Sequence, residues 1–526
     1  MTRTEGKPLS LYSREMAFTC MSETGTEPRP LVRTLPDPEA ASHVQYNPSL
    51  EELRDLAAHE ETTTEFGSPS YVSEFRSRSA DRTKNAVDHG FNTRDHDLVD
   101  EAIAAAGDDD REMLCLDRLL GRHSDATLCC RLFVPAEHAR IALAWANLFE
   151  PTDGRKPDLY TVQLPDHDET EIRVRPDEGF TAVLGSDYTG EAKKSFLRLF
   201  MYRLKEQGGL GLHAGSKRVR VRDGDGKLHT VGQVFMGLSA TGKSTLTSHG
   251  CWLEEPEDAT MLQDDVCGLL PDGAVAGSEG EGLFIKTIGL DADEQPELYE
   301  AATHESAILE NVAVDDDDGT VDFDDDRHTA NSRAIVQREQ LASAGKDIDL
   351  ERIDQVFFIT RNPLMPPIAK LTDEQAAVAF MLGESIETSA GDPSRAGESI
   401  RVVGTNPFIV GPEGEEGNLF YDLVSSLEVD CYVINTGSLG EKSKDVGVEE
   451  SVTILTETAR GRIEWTDDDR VGLTIPEIVP GLSIDDYYPP DHVAEYDEAV
   501  ADLRAERREY LEEFDDLREE IRNAVY

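Results

Sequence analysis

Thr230-Val-Gly-Gln-Val-Phe-Met-Gly-Leu-Ser-Ala-Thr-Gly-Lys-Ser-Thr-Leu246 is the stretch on which the reading of this chain turns. Its first part holds Val231, Val234, Phe235 and Met236, an apolar run suited to a buried strand. The run gives way to Gly237-Leu238-Ser239-Ala240-Thr241-Gly242-Lys243-Ser244, followed by Thr245, which satisfies the G-x-x-x-x-G-K-[ST] pattern of a phosphate-binding loop. Glycines let successive N–H groups converge on an anion, and a helix opening at Lys243 adds free amides and the positive end of its dipole. In that arrangement Lys243 reaches the outer phosphates and the Ser244 hydroxyl holds magnesium. A glycine-rich surface turn could match the same pattern, but the context speaks against it. A strand leads in, a short helix leads out before Gly250, and Thr260-Met-Leu-Gln-Asp264-Asp265 is a second apolar strand ending in two acids, where a phosphate-bound metal needs ligands.

A chain of 526 residues is long enough for two or three domains. Its formal charge of −55 repels nucleic acid and anionic membranes, so neither is expected as a partner. Lysine is scarce, 14 against 37 arginines, and the acids are spread through every segment. Regular apolar segments argue against disorder, and the composition points to a halophilic cytosol, where salt screens the self-repulsion of surface carboxylates. The seven cysteines show no C-x-x-C spacing and read as small buried hydrophobes. No apolar run reaches membrane-spanning length and no signal-peptide pattern opens the chain, so a cytoplasmic protein, taken as a monomer, is expected.

Residues 1–45 lack apolar periodicity and are expected to be a disordered extension, with Met16 or Met21 as alternative starts. Leu50, Leu53, Leu56 and Ala57 mark a helix. Arg76, Arg78 and Arg82 cluster in a stretch that reads equally well as a solvated loop or an anion site. Between Leu114 and Leu184 strands and helices are expected to alternate. An amphipathic helix opens at Tyr188 and carries Lys193 and Lys194, and His213 lies in a Gly-flanked turn, where a structural role is the commoner one. The acids of Asp315–Asp318 and Asp322–Asp326 flank Gly319 and suit a solvated hairpin better than a calcium loop. Gln355–Thr360 and Tyr432–Asn435 read as strands. His492–Tyr526 reads as one long charged helix, striped by Leu503, Tyr510, Leu511, Phe514 and Leu517, on the outside of the second domain.

GLSATGKSTL, QDD, IKTIGL with PELY, and ILENVAVDDDDGTVDFDD together resemble the ATP-utilising phosphoenolpyruvate carboxykinases, from roughly Asn47 to Phe514 and most densely from Tyr188 to Pro367. The resemblance implies an α/β, two-domain kinase-like fold: an α/β N-terminal substrate-side domain over residues 46–212 and a P-loop-containing mononucleotide-binding C-terminal domain over residues 213–526, ending in the long helix. It implies the gluconeogenic conversion of oxaloacetate and ATP to phosphoenolpyruvate, ADP and CO2, by decarboxylation to an enolate and phosphoryl transfer. By that resemblance Arg78, Tyr188, Lys194 and Arg333 bind substrate, and Lys193, Lys194, Lys243, Asp264 and Arg333 are catalytic. The nucleotide contacts are Gly237 to Thr245 with His213, Gln295 and Arg333. Manganese at the enolate is assigned to Lys194, His213 and Asp265, and magnesium with the nucleotide to Ser244.

Departures from the family pattern are local. Ser77 and Ala80 stand where the family's Gly-Arg-Ser-Pro segment has its glycine and proline, Ala240 replaces a usual glycine, and Gln295 replaces a glutamate. Around Lys442 to Glu450 the expected base and ribose contacts are missing, which leaves ATP or another nucleotide open. A P-loop kinase of another small carboxylic acid, and a nucleotide-binding regulator without catalysis, are the alternative readings.

The charge yields the first prediction. Because the screening length shrinks to roughly 3 Å at 1 M salt, the melting temperature of the protein should rise steadily from low to molar potassium chloride. A flat or falling profile in a calorimetric salt series refutes the halophilic reading.

Overall fold

Two eight-stranded sheets carry the architecture of the computed structural model, which describes residues 34–75, 80–238, 241–293, 295–386, 399–440 and 443–526. The first sheet runs in the order Val44–Tyr46, Met113–Leu120, Leu128–Pro135, Leu159–Leu164, Phe180–Leu184, Glu171–Arg175, Thr83–Asn85, with Glu150–Pro151 paired off the path. Met113 and Cys115 pack toward the helix Thr93–Ala106, whereas Leu114 and Leu116 pack with Ile141, Trp145 and Phe196 from the helices Ala139–Ala146 and Thr189–Glu206. Both faces are covered, so the inner strands are apolar at most positions, as in Leu128–Pro135 and Phe180–Leu184. Between Leu114 and Leu184 the expected alternation reduces to strands with the helix Ala139–Ala146 and two one-turn 3-10 helices.

The second sheet runs Asp258–Gln263, Ala214–Arg222, Leu228–Met236, Gln355–Thr360, Asp430–Asn435, Ile368–Leu371, Leu473–Ile478, Glu464–Asp468. Its three central strands are parallel, in a register that sets Phe235 beside Phe357 and Phe357 beside Tyr432. Their rings stack at 5.3 and 5.2 Å, and Trp465 continues the row at 5.6 Å from Tyr432. The alternate residues Val234, Val356 and Val433 face the opposite core, formed with the helices Asp373–Leu382 and Glu413–Leu427. The three parallel strands end at one edge, where Gly237, Arg361 and Thr436 begin the turns that matter for function.

The helix Lys243–Ser248 that follows the glycine turn is as short as expected. It is held from beneath by the strand Ala214–Arg222. The fully buried Lys217 donates from Nζ to the carbonyls of Leu246 and His249, satisfying groups that a helix end leaves open. At Gly215 the helix packs so closely that a Cβ would lie 2.7 Å from Thr247 Cγ2 and 3.0 Å from Thr247 Cβ.

Three sequence expectations are corrected. Residues 34–45 are not an unstructured tail, because Leu35 and Ala41 pack against the first sheet's core and Val44–Tyr46 pairs with Met113–Cys115. The C-terminal segment is not one helix but Pro489–His492, Tyr496–Leu511 and Glu519–Asn523, with Leu511, Leu517 and Ile521 buried in the core of the second sheet. Of the first helix, Leu50–Ala57, only Leu53 and Ala57 are buried, and Leu50 and Leu56 are exposed. The acidic hairpin forms as expected, Ala313–Val314 pairing with Val321–Asp322. The strand Pro69–Tyr71 joins Ile308–Glu310, so a five-stranded sheet links residues 62–71 to residues 282–337.

Gly215→Ala should push the helix Lys243–Ser248 off its strand, since the obstructing atoms belong to a branched, hydrogen-bonded threonine. We expect a stability loss of about 1–3 kcal/mol and a fall in ATP affinity by calorimetric titration. Unchanged ATP binding would show that the strand does not position the turn.

Candidate functional site

Three separate segments meet at the carboxylate of Asp265, which follows the strand Asp258–Gln263, and a fourth joins them through Lys193. That strand lies next but one to Leu228–Met236 in the sheet and parallel to it, so the acids and the glycine turn share an edge. His213 joins the strands Leu210–Leu212 and Ala214–Arg222, and its Nε2 is 3.1 Å from Asp265 Oδ1. Lys193, in the first turns of Thr189–Glu206, donates from Nζ to Asp265 Oδ2 at 2.8 Å. The same ammonium is paired at 3.0 Å with Glu279 Oε1, a contact of charges more than a directed hydrogen bond.

The electrostatics fix the protonation of this group. Burial opposes the charge of Asp265, but the Lys193 ammonium, with Lys243 behind it, outweighs burial and keeps the carboxyl well below the usual range. Burial also opposes the charge of Lys193, and Asp265 and Glu279 reverse the balance and keep its pKa above the ordinary lysine value. For His213, burial and the Lys243 charge lower the pKa against the opposing pull of Asp265. Its Nδ1 lies 2.6 Å from the Thr405 carbonyl, which can only accept, so the neutral ring carries its proton there. A lone pair on Nε2 therefore faces a carboxylate oxygen with no proton between them. That donor set fits a divalent cation, and Asp264 adds a buried Oδ1 with no partner in the protein.

Among the described residues no three His, Cys, Asp or Glu side chains cluster as a metal centre. The expected third ligand, Lys194, lies with Nζ 5.6 Å from the centroid of Phe408, whose ring stands edge-on to His213 at 6.1 Å. The structure thus brings His213 and Asp265 together directly and places Lys194 beside them through Phe408.

The substrate-side residues gather on Phe284. Lys193 Nζ is 5.2 Å and the Arg333 guanidinium 5.5 Å from its ring centroid, and the Tyr188 ring is at 6.2 Å. Arg333 donates from Nη2 to Asn331 Oδ1 at 2.7 Å and keeps a buried Nε without a partner, a free donor for an anion. Burial, chiefly, raises the Tyr188 pKa, so the phenol stays protonated. Arg78 lies outside the described residues, but the chain leading to it is pinned. The amides of Glu74 and Phe75 donate to Asp187 at 2.7 and 2.8 Å, and the buried Arg140 braces the same carboxylate at 2.6 Å.

At the glycine turn, Thr436 Oγ1 donates to the Thr241 carbonyl at 2.7 Å, Gly242 has φ +96°, and Lys243, Ser244 and Thr245 open the helix. Gly237 and Leu238 end the strand side of the turn, and Ser239, Ala240 and Lys442 lie outside the described residues. Gln295 heads the helix Pro296–Ala302, which packs on the strand of Arg333. Sequence reasoning missed Glu279, Phe284, Thr405 and Phe408. Of these only Phe284 stood beside a signal, immediately before the quoted IKTIGL.

A cationic edge of this kind on parallel strands defines an α/β enzyme of small anions. The model of the ATP-type family described as phosphoenolpyruvate carboxykinase matches residues 42–485. A relative from Aeropyrum pernix, named phosphoenolpyruvate carboxykinase (ATP), is 36% identical over 484 residues, which cover 90% of this chain and 95% of that one. One of the same name from Bradyrhizobium diazoefficiens is 30% identical over 394 residues, 69% of this chain and 70% of its own. The chain belongs to the ATP-type phosphoenolpyruvate carboxykinase family.

His213→Gln should weaken manganese(II) binding at least ~10-fold in a paramagnetic-resonance titration while ATP affinity stays within about twofold. In the native protein the lowered His213 pKa keeps the ring neutral below the ordinary imidazole value. Manganese affinity should therefore hold from pH 8 down through that value and decline only at lower pH. Loss that begins above it would contradict a neutral His213.

Proposed function

We infer that this enzyme converts oxaloacetate and ATP to phosphoenolpyruvate, ADP and CO2. Besides the family, the observation that carries the reading is the meeting of His213, Lys193 and Asp265, with the Lys243 charge acting on both His213 and Asp265. Our proposal gives these residues the following tasks. Arg78 grips a substrate carboxylate as a two-pronged donor, and Tyr188 lies along the substrate with its hydroxyl protonated. Lys193 offers positive charge toward the departing carboxylate, and Arg333 offers its free Nε between substrate and γ-phosphate. The turn from Gly237 to Thr245 cradles the phosphates by its amides, and Lys243 neutralises the oxygens that gain charge in transfer.

His213 and Asp265, with Lys194, would hold manganese, and Ser244 with Asp264 would hold magnesium on the nucleotide. A divalent cation supplies positive charge against the enolate oxygen and the phosphates. Lys194 can serve as a ligand only as the free amine, since an ammonium has no lone pair to offer. Gln295 is assigned to the nucleotide side.

The same proposal includes a two-domain arrangement, residues 46–212 on the substrate side and 213–526 carrying the nucleotide, with the strands of residues 62–71 reaching across to the second part. It also includes a monomer in a salt-rich cytoplasm. Free, buried thiols at Cys115, Cys129, Cys130, Cys251, Cys267 and Cys431 suit a reducing compartment, and no described helix is long and apolar enough to cross a membrane.

A coupled assay of phosphoenolpyruvate formation, with ATP and GTP supplied separately, tests the reaction. Arg333→Lys should lower kcat at least ~10-fold, and Arg78→Lys should act mainly on the KM for oxaloacetate. Activity absent with every nucleotide, or constants unmoved beyond about twofold in both variants, would overturn these roles.

A further inference from the structure

Glu279 is almost completely buried, as is the lysine it touches, and buried acids survive only when paired. Its loop is built with unusual thoroughness. Gln263 accepts at Oε1 from the amides of Ser278 and Glu279, at 3.2 and 3.1 Å, and donates from Nε2 to the Glu279 carbonyl at 3.0 Å. Arg338 Nη2 donates to that carbonyl at 3.1 Å, Arg122 Nη2 to the Gly280 carbonyl at 3.0 Å, and Ser278 Oγ to the Val266 carbonyl at 2.7 Å. Gln263 immediately precedes Asp264 and Asp265, so one amide side chain sets the spacing between the two carboxylates that meet at Lys193.

The surroundings of Lys193 are thereby fully specified: Asp265 at one side, Glu279 at another, and the face of Phe284 at a third. Asp265 has a second duty at His213. A cation recruited there draws on the same carboxylate and adds positive charge near the ammonium, which weakens the hold of Asp265 on Lys193. Glu279, on a separate loop, stays paired with the ammonium at 3.0 Å, its carboxyl pushed up to about 7 by burial against the pull of Lys193.

We propose that Glu279 is a positioning residue for the carboxykinase reaction, fixing the Lys193 ammonium in place while Asp265 serves the cation site. This rests on the reading of Lys193 and Asp265 as parts of the reacting centre. It differs from a merely structural ion pair, which would affect melting temperature and leave turnover alone.

The test is a double-mutant cycle in the coupled assay, with ATP binding by calorimetry as a check on folding. Glu279→Gln, which keeps the shape and removes the charge, should lower kcat about tenfold or more with the KM for ATP within about twofold. In a Lys193→Met background the same change should add less than about twofold, because the effect passes through the lysine. Glu279→Asp, which retains the charge one methylene shorter, should recover part of the loss. Normal kcat in Glu279→Gln with a crippled Lys193→Met, full independent losses in the double variant, or equal losses for Asp and Gln would each overturn the proposal. Normal kcat in Lys193→Met would instead refute the underlying role of the lysine.

Discussion

The sharing of Asp265 between an imidazole and an ammonium constrains everything around it. Moving a charge out of water costs several kcal/mol unless it is paired and hydrogen-bonded. Lys193 lies between two acids, Asp265 held ionised well below the usual range and Glu279 pushed up by burial to about 7 against the pull of Lys193, so the trio carries more negative than positive charge whenever Glu279 is ionised. The excess negative charge is then answered by neighbouring cations, Lys243 on the phosphate turn and Arg338 behind Glu279. Such a group tolerates little displacement. This gives a physical reason for the density of hydrogen bonds in the Ser278–Gly280 loop, where side chains from several elements fix a backbone that has no regular structure of its own.

What could be read in the sequence was what is local. The glycine turn, its strand and its short helix lie within one continuous stretch, and apolar runs bounded by turns gave Gln355–Thr360 to the residue. Asp264 and Asp265 stood out because an apolar strand ends in them. His213 and Lys194 reached the metal assignment only through family resemblance; in the structure His213 Nε2 lies 3.1 Å from Asp265 Oδ1. Glu279 was invisible in a chain with 106 acidic residues, since its meaning lies in a lysine on a distant helix. The break of the C-terminal helix was hidden too: residues 512–518 contain neither glycine nor proline, and tertiary packing of Leu511, Leu517 and Ile521 decides where the chain turns. Val44–Tyr46 is too short for any periodicity to show.

Charge distribution separates the two kinds of cation. Several arginines form fork-like pairs with carboxylates, as in Arg131 with Asp117 and Arg518 with Asp422. Exposed pairs of this kind contribute only about 0–1 kcal/mol each, so their number says little about stability. Lysine is used sparingly, and among the described residues Lys193 and Lys217 are fully buried at functional elements. Lys193 lies at the reacting centre, and Lys217 closes the far end of the helix that the phosphate turn opens.

Backbone strain is placed by the same logic. Thr405 has φ +52° and Asn311 φ +60°, the left-handed region. Asparagine enters it readily, but a β-branched residue there is a genuine outlier, a cost on the order of 1–3 kcal/mol. Thr405 is the residue whose carbonyl receives the His213 proton and so fixes which nitrogen faces Asp265. Asn311 receives the amide of Ser73 on the segment that runs toward Arg78, and its own amide binds the Tyr71 carbonyl. Unusual conformations persist only where packing over-determines them, and here both sit at hydrogen bonds that aim functional segments. The orientation of His213 therefore does not depend on a cation being present: the fold selects the tautomer and holds the lone pair toward the carboxylate.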